Sequence, residues 1–300
     1  MTRPARLAVG VVSAGRVGAV LGAALARAGH TVSGVCGVSR ASLARAEALL
    51  PDVPVLPPDE VAGAADLVLL ALPDDALPGM VRGLAAAGAL RAGQIVAHTS
   101  GAYGVDVLGP ATGPGALGLA LHPAMTFTGR AEDLERIAAC CFGVTAADGD
   151  EAAWNVAEAL VVEMGGEPVR VPEAARPLYH TALAHGANHL VTLVSEAADL
   201  LRGTGVGTPE RLLGPLLSAA LDNALRHGDR ALTGPVARGD AGTVRKHVRV
   251  LGEHAPQMLP AYRALAERTA QRATASGLLR PDLTADIAAA IRSDTEEGQQ

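Results

Sequence analysis

One lysine serves the whole chain. Of 25 basic side chains in 300 residues only Lys246 is a lysine, so a mechanism that needs a lysine amine must use that residue or none. Cysteine is nearly as scarce: Cys36 and the adjacent Cys140 and Cys141 supply neither a disulfide framework nor zinc-site spacing, and read as small buried hydrophobes. A basic surplus is missing too. The net charge of −6 gives no field to draw nucleic acid or an anionic lipid surface. Apolar runs stop well short of the roughly 18 residues a membrane span needs, and the N-terminal segment leads into a strand pattern rather than a cleavable signal. A cytoplasmic protein with no nucleic-acid or membrane partner is expected.

What is present is 49% apolar sequence of a length that suits two ordinary domains. In the first half, short β-branched runs alternate with Ala/Leu-rich stretches, which predicts βα units and a Rossmann-type, mostly parallel sheet in an α/β fold. Strands are expected at 7–12, 31–38, 53–56, 66–72, 94–98, 116–121, 141–145 and 168–171. Beyond these the pattern is helical only, at about 174–202, 208–227, 240–252, 257–276 and 282–292. The reading is a dinucleotide-binding domain over 1–170 and a smaller helical domain for substrate and dimerisation over 171–300. The polar tail from Ser293 is expected to fray.

The first strand runs into Ser13-Ala14-Gly15-Arg16-Val17-Gly18, a GxGxxG fingerprint whose first glycine is serine. Its backbone would carry a cofactor pyrophosphate, with Gly15 allowing close approach and Gly18 letting the helix pack on the strand. Ser13 degrades the pattern, since only glycine takes the left-handed region freely; it is tolerated if its φ is negative, and it could donate a hydroxyl. About twenty residues on, where an NAD enzyme places a carboxylate for the ribose, stand Ser39 and Arg40. These suit a 2′-phosphate, so NADP is expected ahead of NAD; a helix N-cap at Ser39 with a solvated Arg40 is an equal alternative. The strand expected at 66–72 ends in Leu72-Pro73-Asp74, at the edge where ligands bind, although Asp74 or Asp75 can equally cap the next helix. Two further strands end in His98-Thr99-Ser100 and in His122-Pro123-Ala-Met-Thr126. Thr99 and Ser100 are cofactor candidates, His122 is a catalytic candidate and Thr126 a substrate contact; a structural role in the Pro123 turn is the alternative for the last two.

SAGRVG, ALPDD, HTSG, LHPAMTFTG, LYHTALAHGANHLVTL and ALTGPVARGD together resemble a family of Rossmann-like oxidoreductases that carry a C-terminal helical domain of unknown function, distantly related to 6-phosphogluconate dehydrogenase. The resemblance spans nearly the whole chain and implies an NADP-binding domain, a helical domain and a homodimer formed through it. Some proteins that resemble this family are regarded as ketopantoate reductases. In ketopantoate reductases and β-hydroxyacid dehydrogenases the interdomain helix carries Lys-x-x-x-Asn. Here Asn188 matches the asparagine, and Ala184 stands where the lysine belongs.

A carbonyl reduction therefore needs another proton donor, and His180 and His185 on the same helix are the candidates, with Asn188 orienting substrate or nicotinamide. His185 and His189 have the i, i+4 spacing of a shared metal site, but no third ligand is evident, so no metal is expected. Polar groups satisfying one another at a helix interface are the structural alternative. Thr233 and Arg238 lie in a Gly/Pro-interrupted segment read as a loop, and would hold a substrate carboxylate, unless Arg238 merely pairs with Asp240. Asp240 is expected to cap the helix that follows. The expected activity is NADP-dependent reduction of a small carboxylate-bearing carbonyl compound, ketopantoate being the specific guess. Imine reduction, a deazaflavin in place of NADP, and a non-catalytic dinucleotide-binding sensor or scaffold are the alternatives.

Overall fold

The structure is a computed structural model that describes residues 6–293; the polar tail beyond Ser293 lies outside the described residues. The first half reads β1 (Ala8–Val12), α1 (Arg16–Arg27), β2 (Thr31–Cys36), α2 (Arg40–Leu49), α3 (Pro58–Gly63), β3 (Leu67–Leu70), α4 (Leu77–Ala86), β4 (Ile95–His98), α5 (Gly109–Thr112), β5 (Leu117–Pro123), α6 (Glu132–Arg136), β6 (Cys141–Thr145), α7 (Glu151–Glu163) and β7 (Glu167–Arg170). Seven strands form one sheet in the order β2-β1-β3-β4-β5-β6-β7. All neighbours are parallel except β5 and β6. The β3 sequence LVLL is buried throughout, as a central parallel strand covered on both faces must be. On one face Val9, Val11 and Phe142 pack against Leu21, Leu25 and Leu160; on the other Val12, Val68 and Val96 pack against Leu77 and Val81.

Two expectations fail here. Residues 53–56 form no strand: Val55 makes a single isolated bridge to Val35. Pro51, Pro54 and Pro57 punctuate the segment, and a proline has no N–H to give to a ladder. Nor does Asp74 or Asp75 cap α4, whose N-cap is Ala76 without a side-chain bond.

The remaining helices are α8 (Arg176–Gly203), α9 (Glu210–His227), α10 (Gly234–Arg238), α11 (Ala241–His254), α12 (Leu259–Ala275) and α13 (Pro281–Arg292). The chain divides into two compact units, Met1–Gly186 and Ala187–Gln300, so the division falls inside α8. In the second unit Val236, Val244, Ala270, Ile287 and Ile291 form a core of their own. The segment read as an open loop, 231–240, is mostly helical. Pro235 sits in the first turn of α10 with its φ already suited to a helix, and Gly239 closes that helix at φ 79°, a left-handed cap. Asp240 caps α11 as expected, accepting the Thr243 N–H at 3.0 Å. Arg238 and Asp240 form no ion pair within 4.0 Å among the described residues.

Candidate active site

The strand order reverses at β1, with β2 on one side and β3 on the other, and ligands of open α/β sheets bind at the carboxyl ends of strands flanking such a switch point. Ser13 leaves β1 with φ 83°, so the condition of a negative angle is not met. The reason is geometric. The chain must turn at once for the Ala14 N–H to reach the Cys36 carbonyl at 2.7 Å, so serine adopts the conformation that glycine would, at a cost of about 1 kcal/mol. Gly18 is required by packing, because a Cβ there would collide with the Ser13 carbonyl and meet the Ala71 methyl at 2.9 Å. Gly15 is different. A Cβ there would find nothing nearer than the Ser13 hydroxyl at 3.6 Å, and its φ of −66° suits any residue. The space beside Gly15, at the N-terminus of α1 where no side chain caps the helix, is thus a cradle that a side chain would fill and that a phosphate fits. Around it Arg16 is exposed and Val17 half-buried.

At the end of β2, Ser39 caps α2 in a reciprocal box with Ser42, so the N-cap alternative holds for its hydroxyl. Arg40, the first helical residue, is exposed with no hydrogen-bond or ion-pair partner among the described residues.

After β3, Leu72 is half-buried, the Pro73 carbonyl takes the Ala76 and Leu77 N–H groups, and Asp74 lies near enough to raise the proton affinity of both His98 and His122. His98 is fully buried with both ring nitrogens engaged. Nδ1 accepts the Ser100 N–H at 3.2 Å, which leaves Nε2 to donate to the Gly104 carbonyl at 2.8 Å. Thr99 continues the ladder through its N–H to Leu70, and the Ser100 hydroxyl accepts the N–H groups of Ala102 and Tyr103. These three residues shape the loop after β4.

His122 faces the first turns of α8. Its Nδ1 lies 2.9 Å from the Tyr179 hydroxyl, and its ring meets those of Tyr179 and His180 edge to face, with centroids at 5.5 and 6.1 Å. Gly101 makes this possible, since a Cβ there would stand 2.7 Å from His180 Cδ2 and 2.9 Å from His122 Nε2. Beneath lies Arg176, wholly buried. Its guanidinium donates to the Thr145 hydroxyl at 2.7 Å and to the carbonyls of Gly143, Ala120 and Ser100 at 2.9, 3.1 and 3.4 Å. Sequence reading missed both Arg176 and Tyr179. The signal for Tyr179 was available, as the chain has three tyrosines and this one precedes His180 directly.

Burial, with Arg176 adding repulsion, holds both His98 and His122 down to about 4, so both are neutral at pH 7. Burial pushes the Tyr179 hydroxyl up, keeping it protonated. The unfolded chain binds these histidine protons below about pH 6.5 and the folded one only near 4. The stability contributed by neutral burial is therefore full above pH 6.5 and lost as pH falls toward 4. Urea melts at pH 7 and 4.5 should show a drop of a few kcal/mol, and His98→Gln should remove a large part of that slope; equal stability at both pH values would contradict it.

The other predicted residues fall as follows. Thr126 is exposed after β5 and His185 is exposed on α8; Ala184, in the lysine's place, is half-buried. Asn188, Thr233 and Arg238 belong to the second unit. There Thr233 lines a cavity with His247 and Tyr262, and Arg238 is exposed at the end of α10. Among the described residues no three His, Cys, Asp or Glu side chains are grouped to hold a metal, and no helix is long and apolar enough to cross a membrane.

Residues 1–123 match the model of the Rossmann-like domain and residues 140–269 that of a domain of unknown function, DUF2520; the chain carries the two in succession. No curated protein matches its sequence. Among solved structures the fold is similar to that of a "putative NADP oxidoreductase" from Bacteroides fragilis, at 20% identity over 89% of this chain and 98% of that one, with a TM-score of 0.75. It is similar also to a reductive aminase from Aspergillus terreus in complex with NADPH4, cyclohexanone and allyl amine, at 20% identity, 94% and 99% coverage and TM-score 0.65. A pyrroline carboxylate reductase of Plasmodium falciparum with NADP bound aligns at 11% identity, 89% and 98% coverage and TM-score 0.56.

Proposed function

We propose that this chain is an NADP-dependent reductase of a small carbonyl compound. The observation that carries the reading is the cradle beside Gly15, which the protein's own packing does not require, at the switch point of a Rossmann-like sheet. The residues present fit the cofactor. The Gly15–Gly18 backbone would hold the pyrophosphate, Arg40 the 2′-phosphate, and Leu72, Pro73 and Asp74 would flank it at the end of β3. NADPH supplies a hydride. The chain's own task is then the proton for the oxygen that gains charge, and with Ala184 in the lysine's place the Tyr179 hydroxyl is our candidate, backed by His122 and flanked by His180. Similarity to NADP-linked reductases supports the class; it does not select a substrate. Ketopantoate is the first 2-oxo acid to try. Ala184 favours one second reading, imine reduction, because an iminium already carries its proton. The helical unit is proposed to join two copies.

Titration of the protein with NADPH and NADH, followed by nicotinamide fluorescence, is expected to give tighter binding of NADPH by about tenfold or more, a difference that Arg40→Ala abolishes, in line with one charge-assisted phosphate contact. Binding of neither nucleotide would overturn the proposal.

A further inference from the structure

The first turn of α8 sets a charge beside an acid. Arg176, Tyr179 and His180 stand at i, i+3 and i+4, so they share one face of the helix. The Arg176 guanidinium lies over the Tyr179 ring, its central carbon 5.6 Å from the ring centroid, and the Tyr179 hydroxyl meets His122 Nδ1 at 2.9 Å. All of these residues belong to the first unit.

Contact does not cancel the Arg176 charge. Its hydrogen bonds go to one hydroxyl and three carbonyls, all neutral. The Glu173 carboxylate attracts it without an ion pair, and is itself engaged by the N–H groups of Val105 and Asp106. Arginine keeps its proton even in a protein interior, and a charge held away from water is little screened. Tyr179 and His180 on α8, His98 on β4 and Asp74 after β3 are the other titratable groups that face His122, and Asp74 is the carboxylate among them. Arg176 acts on His122 more strongly than Asp74 does, so the fixed field at the His122–Tyr179 pair is positive.

We propose that the Arg176 charge selects a neutral carbonyl over a cationic iminium as the substrate of this site, acting through Tyr179. This rests on the reductase reading above and names its substrate class. When hydride from the nicotinamide reaches a carbonyl carbon, the oxygen takes the electron pair of the double bond. The Tyr179 O–H bond then breaks, its proton passes to that oxygen, and a phenolate remains until water reprotonates it. Negative charge thus develops twice beside a fixed cation, on the substrate and then on Tyr179. An iminium ion brings positive charge to the same place and is repelled as it binds, before any hydride moves. Arg176 touches no reacting atom; it is a positioning residue for the charge that Tyr179 acquires.

Two measurements on the full chain test this, with circular dichroism to verify the fold of each variant. In the first, histidine ring signals are followed by NMR from pH 8 to 4.5, and His122→Ala assigns the His122 signal. Wild type and Arg176→Lys should keep His122 neutral down to pH 5, whereas Arg176→Gln should raise its midpoint by about one pH unit or more, a tenfold gain in proton affinity. An unmoved midpoint in Arg176→Gln would overturn the proposal whatever the enzyme reduces. In the second, kcat/KM with NADPH is compared between ketones and a cyclic iminium ion at pH 7. The ketone-to-iminium ratio should fall about tenfold or more in Arg176→Gln and hold in Arg176→Lys. His180→Glu, which sets a carboxylate against His122, should lower the same ratio and keeps the test open if Arg176→Gln does not fold. A ratio unmoved in either charge-changing variant, or a wild type that reduces the iminium better than every ketone, would overturn the selection while leaving the reductase reading standing. Turnover of neither class would overturn that reading, and the selection with it.

Discussion

Arg176→Met is expected to lower the unfolding free energy by about 3–5 kcal/mol. The guanidinium is wholly buried without a carboxylate against it, and burial draws its affinity for the proton below the usual arginine range. Four oxygens surround it instead, on β5, β6 and the loop after β4. Methionine fills much of the volume but satisfies none of them, and each buried acceptor left without a donor costs about 1–3 kcal/mol. Lysine keeps the charge and should recover only part of the loss, since an ammonium cannot span acceptors set around a planar fork. Urea unfolding of wild type and both variants is the measurement. A loss under 1 kcal/mol for Arg176→Met would mean that water replaces the guanidinium.

Tyr179→Phe is expected to reduce turnover of 2-oxo acids by about 10²- to 10⁴-fold, the span of general acid catalysis, while NADPH affinity stays the same. The mutation removes one oxygen from a pair that is poised as donor: His122, held to about 4, is neutral above pH 5, and Tyr179, pushed up by burial, keeps its proton through neutral pH. Turnover should therefore be level from about pH 5 to 9, and His122→Ala should lower it without altering nucleotide binding. Cyclic imines make the comparison decisive, because an iminium needs no donor and its reduction should survive Tyr179→Phe. Undiminished ketone turnover in that variant would remove Tyr179 from the chemistry.

The sheet was legible because its central strands are buried apolar runs separated by helices of period 3.6, and that signal is local. The segment at 53–56 misled because its β-branched residues gave the pattern of a strand, while the prolines that punctuate it, which have no N–H to donate, leave it a single bridge to Val35 rather than a ladder. Ser13 misled differently. Residue type gives the price of a left-handed φ but not whether tertiary contacts impose it, and here the Cys36 carbonyl and the packing of Gly18 do. His122 and His180 were legible as types of residue, and the structure does place their rings together. Arg176 and Tyr179 were not, since nothing local distinguishes an arginine that reaches three distant carbonyls from one that lies in water. The segment around Thr233 read as a loop because glycine and proline also punctuate helix ends, which is what they do in α10.

The loop after β4 carries a consequence for how the molecule is made. At its far end the N–H groups of Val105 and Asp106 are met by the Glu173 carboxylate, the nearer at 2.7 Å, and Arg176 bonds the Ser100 carbonyl in the same loop. Both partners arrive about seventy residues later in the chain. During synthesis the seven strands that precede them can pair as soon as they emerge, but the turn that shapes the histidine side of the site stays open until residue 176 has left the ribosome. The last step in building the first unit is thus the docking of the opening turn of α8, which closes this loop and delivers Tyr179 to His122 in one movement.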